Sequence, residues 1–190
     1  MKALEDRILN DGVILNNDIL KVDSFLNHQI DPVLIDALAE DILNFFKGAR
    51  IDKILTIETS GIAIAYAVAR ILKAPIVFAK KSKSATVGDD VYTTEIKSFT
   101  RNLVSKVTVR NRFLKENENV LIVDDFLAEG NAALGLIDLC NQAKSNVVGV
   151  AVAIEKGFQG GRKKIEVTGN KVYSGAIIKE FKDNKPVFEK

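Results

Sequence analysis

Residues 120–133 read VLIVDDFLAEGNAA. The apolar run Val120, Leu121, Ile122 and Val123 predicts a strand covered on both faces, and it delivers two carboxylates, Asp124 and Asp125, to the strand's end. Phe126 and Leu127 follow, then the small-residue turn from Ala128 through Glu129, Gly130 and Asn131 to Ala132, and a pattern that predicts a helix from Gly130 to Ala143. In open α/β sheets ligands bind outside the carboxyl ends of the strands, and a helix N-terminus offers unpaired N–H groups and a positive dipole end to an anion. Small residues let the backbone approach that anion closely, while paired acids beside it ask for hydroxyls or a hard cation such as Mg2+. A phosphorylated sugar meets both demands. Helix capping needs only one Asp, so the second acid and the small-residue turn exceed what a cap requires. No G-x-x-x-x-G-K-[ST] and no G-x-G-x-x-G after a strand occurs, which removes Walker-type and dinucleotide sites.

Short apolar runs alternate with helices on both sides of this segment. Ile54–Ile57, Pro75–Ala79, Val120–Val123 and Val147–Ile154 predict strands, and Gly61–Leu72 and Gly130–Ala143 the helices between them. The class is α/β, a parallel sheet flanked by helices. Before it, residues 2–10 predict a helix ended by Gly12, with extended pieces around Val13–Leu15 and Ile19–Val22. Asp31-Pro32 opens a further helix through Leu34, Ile35, Leu38, Ile42, Phe45 and Phe46 to Gly48 as its C′ glycine. Between Lys80 and Glu118 the rhythm breaks: the lysine-rich stretch from Lys80 leads through Gly88, Asp89 and Asp90 into Val91–Phe99 and Leu103–Arg110, a mobile loop on a two-stranded ribbon. After Glu155 come a loop with Gly157, Gly160 and Gly161, a short helix, and strands around Val172–Ile178 and Val187–Phe188 joined at Asp183-Asn184. The expectation is a single domain, with a core over about residues 48–155 and a small hood from 1–47 and 156–190 over the sheet's carboxyl edge.

Composition narrows the class. With 47% hydrophobic and 27% charged residues in 190, the chain can bury a true core. The balance of 27 basic and 25 acidic residues, spread along the sequence, lacks the electrostatic footprint of a duplex-binding protein, so nucleic acid is not an expected partner. No apolar run reaches membrane-spanning length and the N-terminal stretch carries Glu5 and Asp6, so neither membrane nor export is expected and the reading is cytoplasmic. Cys140 lies among Leu136, Ile137 and Leu139 as a buried small hydrophobe, and the sole histidine, His28, reads as surface or structural.

The segment at 120–133 resembles the signature of type I phosphoribosyltransferases, in which an apolar strand, two acids and a small-residue phosphate loop opening a helix bind 5-phosphoribosyl 1-diphosphate (PRPP). Leu20 to Pro32 (LKVDSFLNHQIDP), Glu58 to Ala63 (ETSGIA) and Ile154 to Gln159 (IEKGFQ) are similar to the bacterial branch of that family acting on xanthine, and the resemblance spans essentially the whole chain. It implies that Asp124 and Asp125 face the ribose hydroxyls and Mg2+, and that Ala128, Glu129, Gly130, Asn131 and Ala132 hold the 5′-phosphate through backbone amides. Glu58, Thr59, Ser60 and Gly61 match the diphosphate loop, where a cis peptide is no surprise. Lys80, Lys81 and the residues after them match the flexible lid, with Lys81 in a catalytic role on the leaving group. Leu20, Asn27 and Lys156 match the positions that hold xanthine, with Phe158 beside them as a stacking ring, and the assembly implied is a homodimer.

Two features depart from the pattern. Many members carry Ser or Thr in the phosphate loop where this chain has Ala128, Asn131 and Ala132, which puts more of the binding on N–H groups and the Asn131 amide. A Glu129 carboxylate beside a phosphate is repulsive, so its side chain is expected to point to solvent. The implied chemistry is loss of diphosphate through an oxocarbenium-like state, its charge met by Mg2+ and lid lysines, with a base nitrogen attacking C1 from the opposite face. The alternatives are another 6-oxopurine as acceptor, or a non-catalytic PRPP-sensing repressor. Such repressors resemble a winged helix fused before this fold, and the region before Lys53 is too short and too weakly basic for one.

Overall fold

The central strands are apolar at nearly every position because both their faces are covered. The computed structural model of the chain describes residues 1–16, 18–82, 90–98 and 103–189. In chain order the elements are α1 (Lys2–Asp11), β1 (Val13–Leu15), β2 (Ile19–Lys21), α2 (Pro32–Phe45), β3 (Lys53–Ile57), α3 (Gly61–Leu72), β4 (Ile76–Ser82), β5 (Val91–Ser98) and β6 (Leu103–Arg110). They continue with β7 (Asn119–Leu127), α4 (Asn131–Gln142), β8 (Asn146–Lys156), α5 (Gly161–Glu166), β9 (Val172–Lys182) and β10 (Lys185–Phe188). An eight-stranded sheet runs β10-β9-β8-β7-β3-β4-β6-β5, and β1 and β2 form a separate hairpin. The pairs from β9 through β8, β7 and β3 to β4 are parallel, while β10, β6 and β5 add antiparallel edges.

Alternation along β7 divides the core. Leu121 and Val123 join the apolar cluster under α1, α2 and α3, and Val120 and Ile122 the one under α4 and α5. Asp31 caps α2 by accepting from the N–H groups of Val33 and Leu34 at 3.0 and 3.2 Å, with Pro32 at the first helical position. The helix stops at Phe45, so Gly48, at φ +85°, lies beyond the C′ position expected for it. Cys140 is buried in the second cluster, and burial pushes its thiol up to about 12, as befits an inert apolar residue. Among the described residues no helix is long and apolar enough to cross a membrane.

Three boundaries differ from those expected. First, β7 continues through the acids to Leu127, because its ladder to β8 persists to the pair Leu127↔Glu155. Second, Lys80 and Lys81 belong to β4, held by pairing to Thr108 and Val107 of β6. The ribbon therefore extends the sheet, and Thr93 of β5 exchanges hydrogen bonds with the Gln142 side chain of α4. The lid expected beyond Lys81 falls largely on residues 83–89, outside the described residues. Third, residues 172–188 are not hood: β9 pairs in parallel with β8 from Val172 to Ile178, so β8, α5 and β9 make one more strand-helix-strand unit of the sheet.

Gly149 shows how tightly the layers meet. A Cβ there would lie 2.5 Å from the Phe46 ring and 2.9 Å from the Lys171 carbonyl oxygen. Gly149→Ala is expected to destabilise the fold by about 1–3 kcal/mol, the range for overpacking, which a denaturant titration at fixed pH would measure.

Candidate functional site

Asp124 is only 6% exposed, seated at the carboxyl end of the parallel strands between α3 and α4. Burial pushes its carboxyl well above the usual carboxylate range, and the neighbouring Asp125 adds to the effect through its charge and a side-chain hydrogen bond. The Asp125 N–H, which donates to Asp124 Oδ1 at 2.9 Å, and the charge of Lys81 oppose the shift and are outweighed. This environment is poised for a partner that favours the ionised form. Neither acid caps α4: its N-cap is Gly130 at φ +86°, with no side chain on the cap.

Two helix N-termini meet at these acids. The turn from β3 into α3 is tight because Gly61 has no side chain: a Cβ would lie 2.3 Å from Thr56 Oγ1 and 2.8 Å from Asp124 Oδ1. Ser60 precedes α3 without a side-chain cap, the Glu58–Thr59 peptide bond is cis, and Glu58 Oε1 accepts from the Lys81 N–H at 2.7 Å. A cleft of about 500 Å3 opens between the two termini. Its lining includes Glu58, Thr59, Ser60 and Lys81 on one side, Asp124 and Asp125 at the floor, and Ala128 to Ala132 on the other. The Ile62 N–H of α3 is given to the Thr59 carbonyl at 3.2 Å, but other first-turn N–H groups of both helices lack intrahelical acceptors, so the cleft can take two anionic groups flanking a pair of acids.

The loop from Ala128 to Ala132 is held from behind. Gly161 donates its N–H to the Ala128 carbonyl at 3.1 Å, and a Cβ on Gly161 would lie 2.3 Å from that oxygen and 2.7 Å from the Gly130 nitrogen. Arg162, next in the chain, places Nε and Nη2 on the Glu155 carboxylate at 3.0 and 2.5 Å, and Ser174 Oγ donates to the same carboxylate at 2.5 Å. Glu155 is 3% exposed, so a buried and fully paired charge fixes both ends of the segment from Lys156 to Gly161.

Within the loop, Asn131 and Glu129 differ from expectation. Asn131 Nδ2 is engaged, donating to Glu129 Oε2 and to the Lys97 carbonyl, each at 3.2 Å. Glu129 is accordingly half-buried rather than free in solvent. Of the residues expected at a base, Lys156 reaches the cleft lining. Its ammonium donates to the Asp18 carbonyl at 2.8 Å and lies 5.8 Å from the centre of the Phe181 ring, and burial lowers its pKa against the raising influence of Asp18. The other three stand outside that lining: Leu20 is 8% exposed within the apolar cluster of α1 and α2, Asn27 is exposed on a π-helical turn, and Phe158, 47% exposed, packs edge-on against Phe181. His28 is exposed beside Asn27. Sequence reading missed Ile96 and Lys97 of the ribbon, Phe126, and Gln159, which also line the cleft. Gln159, three residues after Lys156, and Phe126, directly after the two acids, carried a signal by position; Ile96 and Lys97 carried none.

Residues 21–181 match the phosphoribosyl transferase domain. The chain is 50% identical over 189 residues to the xanthine phosphoribosyltransferase of Finegoldia magna, covering 100% of both, and 48% identical over 188 residues to that of Leuconostoc mesenteroides, covering 99% of this chain and 100% of the relative. Among solved structures, the adenine phosphoribosyltransferase of Giardia lamblia in complex with 9-deazaadenine superimposes with a TM-score of 0.77 over 92% of this chain and 96% of the other. At 22% identity that likeness is one of fold.

Two outcomes are expected. A buried acid with a raised pKa keeps its proton to higher pH in the fold than in the unfolded chain, so between those two values the folded state binds more protons and stability falls as pH rises. Asp124→Asn should therefore unfold at a higher temperature than the parent above about pH 4, the gap widening through that window, while turnover drops steeply; melting curves from pH 4 to 9 without Mg2+ check the sign. Gly161→Ala should displace the loop it touches and raise the KM for the phosphorylated ligand about tenfold or more, as a misplacement away from the chemistry can, with the KM for the second substrate less affected.

Proposed function

The chain belongs to the phosphoribosyltransferase family, and on that footing we propose that it converts xanthine and PRPP to xanthosine 5′-monophosphate and diphosphate, a reaction of purine salvage. The observation that carries this reading is the cleft itself, where two uncapped helix N-termini flank paired acids with Lys156 on the same lining. In it the 5′-phosphate sits at Ala128 to Ala132 on the N-terminus of α4, and the diphosphate at Glu58 to Gly61 on that of α3. Asp124 and Asp125 take the ribose hydroxyls between them. Lys81, beside the Glu58 loop, stabilises charge on the leaving group.

Among the described residues no three acidic, His or Cys side chains gather into a protein metal site. The two Asp side chains nevertheless fit Mg2+ that arrives with PRPP, because that ion is typically held by one or two carboxylates plus substrate phosphates. When bound, it supplies charge neutralisation for the departing diphosphate. The protein positions the base nitrogen against C1, and its fixed donors stabilise the charge that develops.

Base choice rests on Lys156. An ammonium has three donors and no acceptor, so it can keep Asp18 and still meet a purine 6-oxo group, where adenine presents an amino group. Leu20, Asn27 and Phe158 belong to the same reading as further contacts of the base, Phe158 meeting Phe181, the ring beside Lys156. The working form in this reading is a homodimer in the cytoplasm; the dimer is supported by the exposed Tyr66 on α3 and Phe78 on β4, apolar surface that a second copy would bury.

The test is diphosphate release from PRPP with xanthine, guanine, hypoxanthine or adenine, together with Lys156→Ala. Xanthine is expected to give the highest kcat/KM and adenine none, and the variant should lose about 10- to 100-fold in kcat/KM for xanthine without gaining adenine. Adenine turnover equal to that of xanthine, or full xanthine activity in the variant, would remove this account of specificity and leave PRPP binding standing.

A further inference from the structure

Gln159 contains a buried polar atom that nothing in the protein uses. Its Oε1 is shielded from solvent and has no hydrogen-bond partner among the described residues, although an unpaired carbonyl in such a place is costly. The residue lines the cleft together with Lys156. It ends the short 3-10 turn Gly157–Gln159, between Lys156 at the end of β8 and Gly161 on the Ala128 carbonyl. Both ends of that segment are fixed by the Glu155 and Arg162 pair, so the backbone is held while rotation about the Gln159 side-chain bonds turns the oxygen from its shielded position to the cleft.

A carbonyl oxygen accepts hydrogen bonds and cannot donate them, which limits what it can meet. Phosphate and diphosphate oxygens are themselves acceptors, and the ribose hydroxyls are met by Asp124 and Asp125. What remains on the ligand is an N–H of the base. The one adjacent to the 6-oxo group is N1–H, present in 6-oxopurines and replaced in adenine by a bare acceptor nitrogen. We propose that Gln159 is a specificity-determining residue whose carboxamide oxygen accepts the N1–H of the base while Lys156 donates to the neighbouring oxygen. Together they read the lactam edge, and both reject adenine. The inference rests on the xanthine and PRPP reading of the cleft and adds a residue to it.

The experiment is steady-state kinetics of the full chain with Gln159→Met, which keeps the length and loses the acceptor, Gln159→Glu, which keeps an acceptor, and Lys156→Ala. Gln159→Met should raise the KM for xanthine about five- to tenfold, with the KM for PRPP changed less than about twofold and a melting temperature that is not lowered, since the unpaired acceptor is gone. Gln159→Glu should recover most of the xanthine KM. An unchanged xanthine KM in Gln159→Met, or an equal rise in both KM values, overturns the proposal. If Lys156→Ala is also without effect on xanthine, the placement of the base has failed; if Lys156→Ala acts and Gln159→Met does not, only this inference has. Gln159→Ser serves with the same reading should the Met variant not fold.

Discussion

The carboxylate of Asp124 is held where its charge is disfavoured, and the architecture around the cleft follows from what that takes. It is buried at the end of β7 against the start of α3, and Asp125 adds like charge beside it. An acid in this position favours whatever supplies hydroxyl donors or a cation, so occupancy of the cleft and ionisation of Asp124 are linked. Keeping the acid there requires the start of α3 to pass without a side chain, hence Gly61, and brings the buried Thr56 hydroxyl alongside. The close approach that excludes a Cβ also aims the N-terminus of α3 at the acids. One steric constraint thus sets the burial, the field and the anion site together.

A second set of contacts joins the two ends of the cleft. The loop of Ala128 to Ala132 rests on Gly161, and the segment bearing Lys156 and Gln159 is tied down at Glu155 and Arg162. Arg162 also donates to the Val172 carbonyl and to Ser174 Oγ, both on β9. The parallel addition of β9 to the sheet therefore belongs to the support of the site, and the unit of β8, α5 and β9 carries the loop of one ligand end and the side chains of the other.

Much of this was legible because it depends on local chemistry. The apolar run into Asp124-Asp125, the Asp31-Pro32 helix start and the span Gly61–Leu72 each announce themselves within a few residues. What escaped depends on pairing. That β7 runs on to Leu127, that Lys80 and Lys81 sit inside a strand, and that β9 enters the sheet are set by ladders to β8 and β6, which no local pattern encodes. Side-chain destinations were harder still. Asn131 looked available for a phosphate, yet it spans Glu129 and Lys97, a partner 34 positions away in sequence. Phe181, which meets both Lys156 and Phe158, lies in the part of the chain read as hood and gave no signal of its own.

The two halves of the cleft are built from different materials, and this explains what a shared fold can and cannot specify. The anion half is backbone: helix N-termini, a small-residue loop, and glycines that permit close approach. Such a site follows from the sheet's topology, and a structure 22% identical can share the whole scaffold. The half proposed for the base is side chain: Lys156, held by the Asp18 carbonyl from the hairpin turn, and the unpaired oxygen of Gln159. These depend on single residues and on the seating of residues 157–161 and of the turn between β1 and β2. Changing the acceptor base would therefore ask little of the sheet or of the helix termini, and would act through the end of β8 and the Asp18 carbonyl that holds Lys156.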